Sequence, residues 1–467
     1  MSSLEAQRKV NAGASRLIPL LLFGILGYCT WVLVDRVCIH YLLNPPSDLD
    51  IPRRTGAAIA ILILYFVLLP LWALPYIRTL QVIVTNPGFT ELRRDQEADL
   101  EKGHQPSFLR SCGNTTIADG QTENDAIPKP AMDRAAVLAG TVNPPPGLDE
   151  FWTRDAFMCD RNGLPIFCNM CNNWKPDRTH HCSEVNRCVR RMDHFCPWAG
   201  GIISETNMKF FIQFLCYATI FTAFLLITMA VLIADRRQKM GSIEVHWVVV
   251  LGLSALFFLF GAGMAGNTVM QALQNTTTVE KVHRGYRTDY IAVLIDPTMQ
   301  QLPPAAPEST WRDGPTPYVG SIVYPLRPSN GHSETWNFNP ALRDQQGHEL
   351  YPNSRRFAVL CLAPSQNPWD ISPLRNMKSL MGEEILDWFF PIKYSPYMVH
   401  DYQDGYYPFG AVLERLKADA GLTPARANID QPHRRRRRRR RRRHSSRSRT
   451  ADGQEMESRA ESGDGSH

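Results

Sequence analysis

A chain of 467 residues with 51 Lys and Arg against 45 Asp and Glu carries a formal charge of +6, and ten consecutive arginines, Arg434 to Arg443, supply more than that excess. The remainder is slightly acidic, so the net charge describes a tail and says nothing about the core. Eleven cysteines do not read as a secreted disulfide framework. Five of them, Cys168, Cys171, Cys182, Cys188 and Cys196, crowd one short segment with histidines, which suits metal and thiol chemistry on the reducing side of a membrane.

In chain order, residues 1–15 are polar and read as a cytosolic N-terminus. The uncharged run 17–34, between Arg16 and Asp35, is too long for a removable signal core and predicts a first transmembrane helix over 16–36. A second uncharged run ending at Arg78 predicts a helix over 56–77. Residues 78–163 read as a cytosolic linker, mobile in its Gly-, Pro-, Asn- and Thr-rich part at 101–150. A compact Cys-rich module follows at 164–209. Two further apolar runs predict helices over 210–234 and 245–273, and each of the four can cross about 30 Å of hydrocarbon. Residues 274–422 form a cytosolic region of mixed character, proline-rich at 302–328, and 423–467 a disordered Arg-rich tail. For that tail an idle, solvated role is favoured over binding to anionic lipid or RNA, so no nucleic-acid partner is expected.

The fold expected is therefore an α-helical integral membrane protein: four transmembrane helices with a small zinc-binding Cys-rich cytosolic module between helices 2 and 3. An even number of spans places both termini and the module on one side. The flanking charges Arg8, Lys9, Arg16, Arg78, Arg93, Arg94, Lys281, Arg284 and Arg287 favour the cytosolic side. Arg236, Arg237 and Lys239, in the short loop between helices 3 and 4, oppose it. Within the module, Cys168-x2-Cys171, His181 and Cys188 make one complete Cys3His set for tetrahedral zinc.

Cys168-x2-Cys171-x3-Lys175-Pro176-x-Arg178-x2-His181-Cys182, followed by Asp193-His194-Phe195-Cys196-Pro197-Trp198, resembles the DHHC-type protein palmitoyltransferases, in a fungal-type variant with a DHFC signature. Asn207-x3-Phe211, Thr277-Thr278-Val279-Glu280 and the variant turn Asn86-Pro87-Gly88 extend the resemblance over roughly residues 15 to 285. Asn367-Pro368-Trp369-Asp370 and the stretch from Asn376 to Gly382 are similar to fungal members. The family usually binds a second zinc, and at those four positions stand Cys182, Val185, Phe195 and Ile202. One cysteine cannot hold zinc, so a single structural zinc is expected.

The chemistry expected is acyl transfer between thiols. Cys196 is the S-acyl nucleophile, His194 the base that raises its thiolate fraction, and Asp193 the group that orients His194. By resemblance, Thr278 supports Asp193, Asn207 braces the module on helix 3, and Trp198 lies near the cavity mouth. Lys175, Arg178, Arg190, Arg191 and Lys209 are candidates for the CoA phosphates. The function implied is a protein S-acyltransferase moving a fatty acyl group from palmitoyl-CoA to membrane-proximal cytosolic cysteines of protein substrates, in an endomembrane or the plasma membrane. A catalytically inactive membrane adaptor with a structural zinc module is the alternative.

Overall fold

The computed structural model describes residues 3–45, 52–91, 132–284, 288–296, 299, 317–325, 354–364 and 366–422. The arginine run, residues 92–131 of the linker and most of the proline-rich segment lie outside the described residues. All described elements belong to the unit Met1–Ala420.

Among the described residues, four helices are long and apolar enough to cross a membrane. Helix α1 covers Ser3–Trp31 and continues as a π-wound stretch over Val32–Leu43. Helix α2 covers Thr55–Thr85, α3 Met208–Met240 and α4 Val245–Leu273. Lipid offers no hydrogen-bonding partner, so uncharged runs of this length close their backbone bonds internally as helices. An aromatic column locks α2 to α3: the rings of Tyr76 and Phe214 stack at 4.7 Å, and those of Trp72 and Phe221 at 6.0 Å. The helices run beyond the apolar limits seen in the sequence, because flanking polar residues extend the same hydrogen-bond ladder past the hydrocarbon.

Between α2 and α3, after the short helical segments Arg134–Leu138 and Asp149–Trp152, the chain forms strand β1 (Ala156–Cys159) and then three two-stranded hairpins. These pair β2 (Phe167–Cys168) with β3 (Asn173–Trp174), β4 (His180–Cys182) with β5 (Arg187–Val189), and β6 (His194–Cys196) with β7 (Gly201–Ile203). Strands this short are marginal alone and need an external clamp. After α4 come the two-turn helix α5 (Thr278–Arg284) and strands β8 (Asp289–Leu294), β9 (Tyr318–Pro325) and β10 (Ser354–Leu362). Helices α6 (Pro373–Met381), α7 (Leu386–Phe389) and α8 (Ala411–Asp419) follow.

Strands β1, β8, β10 and β9 form, in that order, one antiparallel sheet. Its core holds Phe157, Tyr324 and Phe357. Part of the proline-rich stretch is thus regular structure, since β9 pairs with β10. The linker is likewise docked at its C-terminal end. Asp133 caps the helical turn Arg134–Leu138, and Arg134 bonds Asp160 at 2.8 Å. A sheet whose strands are separated by long connections leaves little local trace in sequence.

Candidate active site and metal centre

The β2–β3 turn presents Cys168 and Cys171, while the β4–β5 hairpin places His181 directly opposite Cys188. Asn172 and Asn186 take left-handed turn conformations, φ 47° and 51°, which Asn tolerates better than most residues. The four ligand atoms lie within 4.8 Å of one another, with His181 Nδ1 3.6 Å from Cys168 Sγ and 3.3 Å from Cys171 Sγ. Thiolate and imidazole ligands on tetrahedral zinc stand about 3.5 Å apart, so this donor set fits that ion.

The other four family positions come together without metal-binding chemistry. Cys182 and Ile202 are buried in one small apolar cluster with Val189 and Met192, and Val185 and Phe195 pack against it. Phe195 and Ile202 are direct cross-strand partners. Burial and the neighbouring Glu184 carboxylate push the Cys182 thiol up to about 12, although nearby backbone N–H groups oppose the shift.

The β6–β7 hairpin carries Cys196 and is gripped from three sides. From the α2 side, Gly88 adopts φ +78°, and a Cβ there would stand 2.9 Å from Ser204 Oγ. Ser204 Oγ donates to Pro87 O (3.0 Å), and Thr206 Oγ1 to Asn86 O (2.7 Å). At the head of α3, Asn207 accepts from Ser204 N at 3.0 Å and donates to Ile202 O at 2.9 Å. From the α4 side, Thr278 N donates to Asp193 Oδ1 (2.9 Å) and Thr278 Oγ1 to Asp193 Oδ2 (3.1 Å). Asp193 is buried and meets His194 Nδ1 at 2.5 Å. Burial presses the His194 imidazolium toward losing its proton. The Asp193 carboxylate and Cys196 sulfur outweigh that and hold its pKa near 10.

Cys196 opens into an apolar cavity of about 130 Å3 bounded by all four helices. Its wall includes Leu26 and Cys29 of α1, Trp72 of α2, Phe214, Phe221 and Leu225 of α3, and Phe257 and Met264 of α4. Trp198 lies at the same cavity, its ring 5.5 Å from Phe260. Tyr76 Oη donates to Trp198 O at 2.9 Å and fixes the turn after Cys196.

Of the five basic residues considered for CoA phosphates, Arg178 has other work. Arg178 is fully buried and bonds Glu280 at 2.6 and 2.9 Å and Asn275 at 2.8 and 2.9 Å. Arg191 and Lys209 are buried as well. Lys175 and Arg190 remain half-buried, and Lys175 lines a separate cavity of about 670 Å3 beside the module. Asn275, part of a glycosylation-like triplet, is buried and donates to Trp369 O at 2.7 Å.

The sequence reading misses how α5 is held. Thr277 N donates to Glu280 Oε2 at 3.0 Å and Glu280 N to Thr277 Oγ1 at 3.2 Å, a reciprocal capping box. The Thr-x-x-Glu spacing was the visible signal for it. Gln271, also missed, bonds Thr278 Oγ1 at 3.3 Å. At the C-terminus of α4, Asn376 donates to Leu273 O (2.8 Å) and Asn367 to Gln274 O (2.7 Å). They satisfy carbonyls that a helix end otherwise leaves orphaned.

The sequence pattern of the DHHC palmitoyltransferase family matches residues 162–285. A palmitoyltransferase pfa5 of Aspergillus fumigatus is 35% identical over 440 residues, covering 90% of this chain and 93% of its own length. The chain belongs to the DHHC palmitoyltransferase family. Its pfa5 relative in Emericella nidulans is 34% identical over 439 residues, 90% of this chain and 88% of that one. A palmitoyltransferase PFA3 of Kluyveromyces lactis matches only a central part, 36% identical over 153 residues, or 32% of this chain and 46% of its own. The longer pfa5 matches reach beyond the family pattern, into chain that includes the sheet and the segments closing α4.

Proposed function

We propose that this palmitoyltransferase carries the acyl group on Cys196 and passes it from palmitoyl-CoA to cysteines of membrane-proximal cytosolic proteins. The observation that carries this reading is the placement of Cys196, whose sulfur neighbours the His194 ring on one side and the four-helix apolar cavity on the other.

His194 takes the Cys196 proton and holds it as an imidazolium against Asp193, leaving a thiolate. The thiolate attacks the thioester carbonyl, the carbon–sulfur bond to CoA breaks, and CoA leaves as a thiolate that takes a proton. The acyl chain remains bonded to Cys196 with its hydrocarbon in the cavity. A substrate thiolate then attacks the same carbonyl carbon, and Cys196 is released as the leaving group. Thioester replaces thioester at each step, so the energy of the acyl bond is nearly conserved. Thr278 is a positioning residue acting through Asp193.

The DHFC signature is part of this reading. Cys168, Cys171, His181 and Cys188 would hold one zinc, which cross-links two hairpins and takes no part in the chemistry. At the second family position the Phe195–Ile202 pair and its apolar neighbours do the bracing. Both termini and the module face the cytosol in this reading. Of the opposing charges between α3 and α4, Lys239 bonds Asp235 at 2.8 Å, and Arg236 lies over the rings of Tyr41 and Trp247.

The test is labelling of purified protein with a clickable palmitoyl-CoA. A hydroxylamine-sensitive label is expected on the native chain and is lost in Cys196→Ala. A label that survives in that variant, or none on well-folded native protein, overturns the assignment and favours a membrane adaptor.

A further inference from the structure

One strongly apolar surface lies outside the four spans. After α6, residues 385–394 form a short irregular segment around the single turn α7. Ile385 (69%), Leu386 (70%), Phe389 (53%) and Ile392 (73%) are turned outward, with Phe390 beside them. The depth of this segment follows from the helices it touches. At the opposite end of the bundle, Arg54, just before α2, bonds Asp235 of α3 at 2.6 Å and marks one level on both helices. About 20 residues cross about 30 Å of hydrocarbon at 1.5 Å each. Counted from that pair, the other hydrocarbon edge falls near position ~74 of α2 and ~215 of α3.

Residues 387–394 meet both helices at that edge. Gln213 Nε2 donates to Asp387 O (3.2 Å) and Trp388 O (3.0 Å), and Tyr217 Oη donates to Phe389 O (3.0 Å). The Arg78 guanidinium sits 4.9 Å over the ring of Tyr394. Leu74 and Ile77 of α2 and Ile220 of α3, all exposed, continue the apolar surface into the spans.

We propose that residues 385–394 are embedded in the lipid of the leaflet nearest the Cys-rich module, as a fifth membrane contact that does not cross. The occupant of this surface is phospholipid, with acyl chains against Leu386, Phe389, Phe390 and Ile392. Two features select lipid over water. The surface is continuous with the lipid-facing sides of α2 and α3. The carbonyls of Asp387, Trp388 and Phe389, which water would serve on an ordinary surface loop, are instead taken by side chains of α3, as hydrocarbon requires. Lys393 pairs with Asp387 at 3.1 Å, so the acidic side chain within this segment has a cationic partner.

The test places a photoreactive side chain, Phe389→p-benzoylphenylalanine, in the full chain reconstituted into nanodiscs of radiolabelled phosphatidylcholine. The same probe at Tyr402, whose carbonyl accepts from Arg154 near the sheet, gives the reference. Irradiation is expected to transfer about tenfold more lipid label at 389 than at 402. Equal labelling, no lipid label at 389, or a covalent dimer in its place overturns the proposal. Acylation of the variant from palmitoyl-CoA reports that it is folded. If the 389 variant fails that check, the probe moves to Ile392 and is read by the same outcomes.

Discussion

In the proposed reaction, Asp193 is the side chain on which the chemistry of the site turns. Buried, it takes two bonds from Thr278 and one from His194, and so keeps the imidazolium in place up to about pH 10. The sign of the linkage follows. The folded pKa of His194 lies above its ordinary value, so its contribution to stability is complete below about 6.5 and fades as pH rises through about 10. Across neutral pH the native enzyme should therefore acylate Cys196 at a nearly constant rate. Asp193→Asn removes the charge that holds the proton on His194. We predict self-acylation slower by about 10²- to 10⁴-fold at pH 7 and climbing with pH, as for an unassisted thiol. Stopped-flow labelling from pH 6 to 9 reads both, and an unchanged flat profile in the variant would falsify the role given to Asp193.

At the scale of elements, the hairpins show two ways of holding short strands. The β2–β5 pair of hairpins converges on four metal-type ligands, whereas β6–β7 closes over Phe195 and Ile202. Purified protein should thus contain about one zinc per chain by elemental analysis. The triple variant Val185→Cys, Phe195→His, Ile202→Cys completes a second Cys3His set with Cys182 and should raise the ratio to about two. A ratio of two in the native chain, or of one in the variant, contradicts the apolar replacement. The cysteine spacing, the signature and the four apolar runs made the site and the spans legible in the sequence, because zinc ligation and membrane crossing each demand a local pattern. The sheet, the grip of Asn376 and Asn367 on α4, and the burial of Arg178 were not legible. The β1–β8 pairing, the Arg178 contact and the clamps on α4 join residues 93 to 137 positions apart, and no local period records such a meeting.

On the scale of the whole molecule, the parts before and after the membrane pair are interdependent. Glu205, next to the β6–β7 hairpin, is buried and bonds Tyr407 Oη at 2.5 Å and His400 Nε2 at 3.1 Å. Trp369, Asn367 and Asn376 close the end of α4 and hold Asn275, which in turn holds Arg178. We predict that a chain ending after 365 inserts its four spans but loses Cys196 labelling from palmitoyl-CoA. A chain ending after 422, which keeps the unit Met1–Ala420 whole, should retain it. Full labelling of the shorter chain would remove the link between α4 and the site. The same dependence sets an order of events during synthesis. Cys196 and all four spans leave the ribosome long before Asn376 does, so in the proposed reaction a nascent chain already seated in its membrane should stay inert until the segment through residue 422 has been translated and has docked.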